Sequence, residues 1–266
     1  MRVFRPLLGS LHALPHHQPW QPVGVWRRAI NLMAADGRLL TLHRQGSGIG
    51  PGGWVLRGAD FDRISSLLCA GMRIQTLPEG LLIADCLLRP PVRHGDLRLT
   101  GNPAAPHLRM PWLHGDPLTG LYGPLSQAVL RPLPAVPAGF CDDFAAALNG
   151  GRIDWRRWLG KGPGLTPSHD DMLVGMLLAA KYFGAPVRPD FFAASGALIS
   201  ATTSVSVSYL HHAAAGRFAS PLLHFAQALA RQTRLVPATT TLLGLGHTSG
   251  ADTLLGFWLG QIAIKG

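Results

Sequence analysis

Two short segments of this 266-residue chain carry the residue types and spacing of a small-anion site. Thr166-Pro167-Ser168-His169-Asp170-Asp171-Met172-Leu173-Val174-Gly175 parallels Thr248-Ser249-Gly250-Ala251-Asp252-Thr253-Leu254-Leu255-Gly256. With Ser168 and Ser249 as origins, both have Asp three residues on, Leu five on and Gly seven on. Each follows a glycine-rich approach, Gly160-Lys161-Gly162-Pro163-Gly164-Leu165 in the first and Gly244-Leu245-Gly246-His247 in the second. A side-chain-poor loop entering a helix start aims several backbone N–H groups at one point, which suits phosphate or carboxylate. Gly162, Gly164, Gly246 and Gly250 would leave that backbone accessible, Lys161 would add a charge, and Thr166, Ser168, Thr248 and Ser249 would add hydroxyls. The competing reading is structural: Ser-x-x-Asp before an apolar helix is close to a capping box.

Asp170 and Asp171 complicate an anion site, because two carboxylates repel an anion unless they face away, act as a base or hold a cation. A divalent ion such as Mg²⁺ bridging them to phosphate would reconcile the two. His247 reads equally as a satisfied loop histidine and as a substrate-contacting or proton-transferring one. Thr202 and Thr203 either cap the next helix or line a polar pocket. Gly160-Lys161 lacks the surroundings of a phosphate-binding P-loop. Gly48-Ile49-Gly50-Pro51-Gly52-Gly53 matches G-x-G-x-x-G, but a strand-like run follows it where a dinucleotide site needs a helix. No G-x-S-x-G elbow is present.

These residues must be positioned by helices. Strand and turn patterns dominate the first half: Ala29 to Ala34 and Leu39 to His43 joined through Asp36-Gly37, then Trp54 to Leu56, Met72 to Leu77 and Gly80 to Leu88. Helical spacing runs from Asp60 to Ala70. The proline-rich stretch Pro124 to Pro137 reads as a linker or surface crossing. Helices are expected over Phe140–Leu148, Ile153–Leu159, Asp171–Phe183, Thr203–Ala215, Pro221–Ala230 and Asp252–Ile264. Strands followed by helices give an α+β class: a mostly β-strand domain over 1–136 and an α-helical bundle over 137–266 that carries both motifs.

The chain has 47% hydrophobic and only 14% charged residues, which excludes global disorder and suits a subunit that buries surface against partners. A formal net charge of +10 attracts anions. The arginines are dispersed, so nucleic acid is not an expected partner. Three cysteines without a zinc spacing fit a reducing compartment. The first apolar run is too short for a signal peptide and Phe191 to Gly216 is too rich in hydroxyls to span a bilayer, so a cytoplasmic protein without membrane contact is expected.

Gly164-Leu165-Thr166-Pro167-Ser168 with Asp170-Asp171, then Thr202-Thr203, then Gly246-His247-Thr248-Ser249-Gly250 with Asp252, resembles the AllH-type family, densely over residues 155–266. The family's first motif usually reads Thr-Pro-Ser-Gly-Asp-Asp; here His169 stands in the glycine place. The resemblance implies a subunit of oxamate carbamoyltransferase, in purine (allantoin) catabolism, with FdrA-like and AllG-like partner proteins. That enzyme interconverts oxalurate plus phosphate with oxamate plus carbamoyl phosphate. In such a reaction Asp171 and Asp252 would orient the loops or hold a cation, and His247 would carry the proton. Two other functions fit the residues: an assembly subunit whose motifs only cap and pack helices, and an independent small-anion hydrolase or lyase.

Overall fold

The computed structural model describes residues 1–13, 18–99, 115–130, 133 and 135–265. It forms two compact units, Met1–Leu97 and Arg98–Gly266, and is of the α+β class. The compositional change near residue 137 falls at the beginning of a helix inside the second unit. Among the described residues no helix is long and apolar enough to cross a membrane.

Among its described residues the first unit holds ten strands, β1 (Arg2–Phe4), β2 (Leu8–Ser10), β3 (Trp20–Val25), β4 (Ala29–Ala34), β5 (Leu39–Arg44), β6 (Gly53–Leu56), β7 (Gln75–Leu77), β8 (Gly80–Ile83), β9 (Cys86–Leu88) and β10 (His94–Gly95), and one helix, α1 (Gly58–Leu67). They form a six-stranded sheet in the order β10-β2-β6-β5-β4-β3 and a four-stranded sheet in the order β1-β9-β8-β7. Ile30, Leu32, Leu40, Leu42, Trp54 and Leu56 alternate onto a core shared with Phe61 and Ile64 of α1. Asp36-Gly37 turns β4 into β5 as expected, with Gly37 at φ 82°. The expected strand Gly80 to Leu88 is instead a hairpin, β8–β9, because Ala84 adopts φ 51° and reverses the chain. The G-x-G-x-x-G stretch connects the parallel pair β5–β6 and folds around His43, whose Nε2 accepts the Gly50 N–H at 3.0 Å.

The second unit is helical: α2 (Leu125–Ala128), α3 (Ala135–Leu148), α4 (Ser168–Tyr182), α5 (Ser204–Ala214), α6 (Ser220–Arg231), α7 (Leu235–Leu243) and α8 (Ser249–Lys265). The expected linker Pro124 to Pro137 thus contains α2 and the start of α3, and the expected helix over 153–159 is a single 3₁₀ turn, Trp155–Arg157. The structure adds α7, which the pattern did not reveal because Pro237 sits inside it. At the centre α4 and α8 run parallel in backbone contact. A Cβ at Gly175 would lie 2.1 Å from the Thr253 carbonyl oxygen, and one at Gly256 would lie 2.0 Å from that of Met172. Gly260 meets Met176 Cα in the same way, at 2.8 Å. Glycine every turn is what permits this approach, and it brings the two helix starts to one place.

Candidate functional site

Ser168 and Ser249 each open a helix, and the two starts lie side by side. Thr166 Oγ1 and Ser249 Oγ share a hydrogen bond of 2.9 Å across them. Ser168 does not form the capping box of the competing structural reading. Pro167 is the N-cap of α4 and has no side chain to cap with, so Ser168 becomes the first helical residue. Its Oγ is buried and has no hydrogen-bond partner of good geometry. Gly162, at φ 118°, and Gly120 press against that hydroxyl, and a Cβ on them would stand 2.6 Å and 2.0 Å from it.

Three of the first-turn N–H groups of α4 are already taken. His169 N–H donates to the Lys161 carbonyl at 3.1 Å, and those of Asp170 and Asp171 donate to the Pro167 carbonyl at 2.9 and 3.1 Å. Side-chain donors also surround these helix starts. Lys161 is exposed with its Nζ 5.5 Å from the Trp158 ring centroid, while Thr166, Thr248 and Ser249 are half-buried and His247 is exposed in the turn before α8. Gly164 and Gly246 line the exposed approaches, and Gly250 packs against the Leu242 carbonyl inside the fold.

Each carboxylate has its own surroundings. Asp170 accepts the Gly160 N–H at 2.8 Å and the Thr202 hydroxyl, so it ties two loops to α4. Asp252 accepts the Gly120 N–H at 3.0 Å, with Thr248 and Ser168 hydroxyls nearby. Asp171 is buried, and its Oδ2 has no hydrogen-bond partner of good geometry. Burial pushes the Asp171 carboxyl well above the ordinary carboxylate range; the Ser249 and Thr166 hydroxyls oppose that, and the charges of Asp252 and Asp170 add to it. Burial likewise raises Asp170 and Asp252, against the hydrogen bonds that favour their charged forms. Asp170 and Asp171 are turned to different neighbours, so they do not converge on one cation. Among the described residues no group of three or more His, Cys, Asp or Glu is placed to hold a metal ion. Asp170, named with Asp171 as a possible Mg²⁺ ligand, has both oxygens engaged by Gly160 and Thr202. Thr203 caps α5, accepting the Ser206 N–H at 3.1 Å and donating to the Leu165 carbonyl.

His169 organises one flank. His169 Nδ1 lies 2.9 Å from the Trp158 carbonyl, which can only accept, so Nδ1 carries the proton. Nε2 is then the acceptor, and the Tyr122 hydroxyl donates to it at 2.6 Å. The imidazole lies between Tyr122, Phe140 and Trp158, with ring centroids at 5.9, 5.4 and 5.9 Å. Burial lowers its pKa against the Trp158 hydrogen bond, and Lys161 lowers it further, so it stays neutral. Tyr122, raised to about 12 by burial and the Asp252 charge, belongs to the turn that also places Gly120 on Asp252. Sequence reasoning missed Gly120 and Tyr122. Their signal was Thr119-Gly120-Leu121-Tyr122-Gly123, a turn-rich run with no obvious tie to either motif.

Residues 158–261 match the family described as oxamate carbamoyltransferase subunit AllH, and residues 23–97 match the AllH family N-terminal domain. The chain belongs to the AllH family. Both helix starts, both glycine approaches and Thr202-Thr203 lie inside the first match, whereas Gly120 and Tyr122 lie between the two. The AllH name is that of one subunit of a complex. No solved structure matches this AllH-family chain.

Proposed function

We propose that this chain is a required subunit of an oxamate carbamoyltransferase and holds a small oxyanion at the rim of its paired helix starts. The reaction served is oxalurate plus phosphate to oxamate plus carbamoyl phosphate, with FdrA-like and AllG-like proteins as partners and a cytoplasmic setting. The observation that carries the reading is the unpartnered, buried Asp171 Oδ2 beside the Thr166–Ser249 hydroxyl pair. A buried carboxylate oxygen without a partner calls for a donor, such as the amide N–H of oxamate or a water, while the neighbouring hydroxyls are left to meet the oxyanion. Lys161, Thr166, Thr248 and Ser249 supply a cation and hydroxyls for oxyanion contacts, the positive ends of two parallel helices favour negative charge there, and exposed His247 is free to move a proton. Asp252 acts on the Gly120 turn.

A second reading, a non-catalytic assembly subunit, is favoured by Asp170 and Asp252, whose oxygens already serve loop N–H and hydroxyl groups. The experiment is oxamate-dependent phosphate release from carbamoyl phosphate, run with this chain, with the two partners, and with all three. Activity in the full set alone supports the required subunit. Asp171→Asn and Asp252→Asn then abolish activity and spare assembly under the first reading, and weaken folding or assembly under the second. Turnover by the isolated chain would instead make it an independent small-anion enzyme.

A further inference from the structure

A groove of about 450 Å³ lies in the N-terminal unit, between the β3–β4 turn and the outer face of α1. That volume is within the range of small-molecule sites. One wall is the indole of Trp26, 42% exposed. The outer benzo edge of the ring packs on Gly24: a Cβ there would stand 1.6 to 2.6 Å from three of its carbons. Gly24 sits where the register of β3 slips against β4. An outermost strand thus breaks its ladder and uses a glycine to seat a large aromatic ring in the open, and such bulges re-aim side chains beside sites.

The opposite wall is neutral. Arg44 donates to both oxygens of Asp62, at 3.1 and 2.9 Å, so the one carboxylate lining the groove is already matched. Arg27, next to the indole, is exposed and has no ion-pair partner among the described residues. Ser65 of α1 adds a half-buried hydroxyl, and Phe61 of the core lines the space between. The groove therefore offers an aromatic face, one unmatched guanidinium and a hydroxyl.

We propose that this groove binds a planar aromatic anion of the nucleoside monophosphate class, its base stacked on Trp26 and its phosphate on Arg27 and Ser65. Stacking on an aromatic side chain tolerates any base, and a guanidinium matches phosphate through paired N–H donors. The site is separate from the helix starts and does not depend on their function.

The test is calorimetric titration of the full chain with AMP, adenosine and ribose 5-phosphate, together with the NMR signal of the Trp26 indole N–H, assigned by Trp26→Phe. AMP is expected to bind and to shift that signal. Trp26→Leu weakens AMP about tenfold or more and leaves ribose 5-phosphate unchanged; Arg27→Gln weakens both phosphates and spares adenosine. Both side chains are exposed, and unchanged thermal unfolding shows that the variants fold. Absence of AMP binding, or AMP binding that survives both substitutions, overturns the proposal. So does an indole signal that moves only when a partner protein is added, which would make the groove a protein interface.

Discussion

At the scale of single residues, two buried histidines hold the fold as neutral acceptors. His169 accepts from Tyr122, and Tyr122→Phe strands Nε2 in an aromatic box. The expected loss is about 1–2 kcal/mol of stability, read by urea denaturation; an unchanged midpoint would mean the bond contributes nothing. His43 accepts the Gly50 N–H, and burial holds its pKa down at about 4, against 6.5 in the unfolded chain. A lowered folded pKa means the unfolded state takes up the proton first as pH falls. The stability that His43 contributes is therefore complete above pH 6.5 and is lost between there and pH 4, about 3 kcal/mol in all. Denaturation at a series of pH values measures it, and His43→Gln should flatten the slope.

At the scale of elements, the α4–α8 contact sets the separation of the helix starts through backbone. Gly256→Ala puts a methyl group 2.0 Å from the Met172 carbonyl oxygen, so the helices must part. The expected cost is about 3 kcal/mol, visible in thermal unfolding, whereas an equally tight helix pair in the variant would contradict the packing described. This pairing was half legible. The Ser-x-x-Asp-x-Leu-x-Gly repeat locates both helix starts, and α4 and α8 begin at its two serines. The repeat could not reveal that the glycines face each other, because helical spacing identifies a face and not its neighbour. The competing capping-box reading fails at Ser168, since Pro167 occupies the cap. The turn that covers Ser168 was invisible for a different reason: Gly120 meets Asp252 across 132 residues of sequence. Strands β1 and β2 and the β8–β9 reversal are too short, three or four residues each, to show a period.

At the scale of the whole molecule, the two units should answer acid in opposite ways. In the C-terminal unit Asp171, Asp170 and Asp252 all have raised pKa values. There these carboxyls make the folded state bind protons more readily than the unfolded one, so their contribution to stability rises as pH falls towards the ordinary carboxylate range, against the opposing effects of His169 and His211. Hydrogen exchange followed separately in β4–β6 and in α4–α8, corrected for intrinsic rates, should show opposite trends between neutral pH and mild acid; parallel trends would refute the assignment of these groups. Finally, β3 is the outermost strand of its sheet and carries a proline, Pro22, next to its irregular step. Proline offers no N–H to an incoming strand, and a kinked ladder presents no straight row of donors and acceptors. This edge of the six-stranded sheet is therefore a poor template for a strand added from another copy of the chain. The same irregular step works against any other polypeptide extending the sheet on the β3 side.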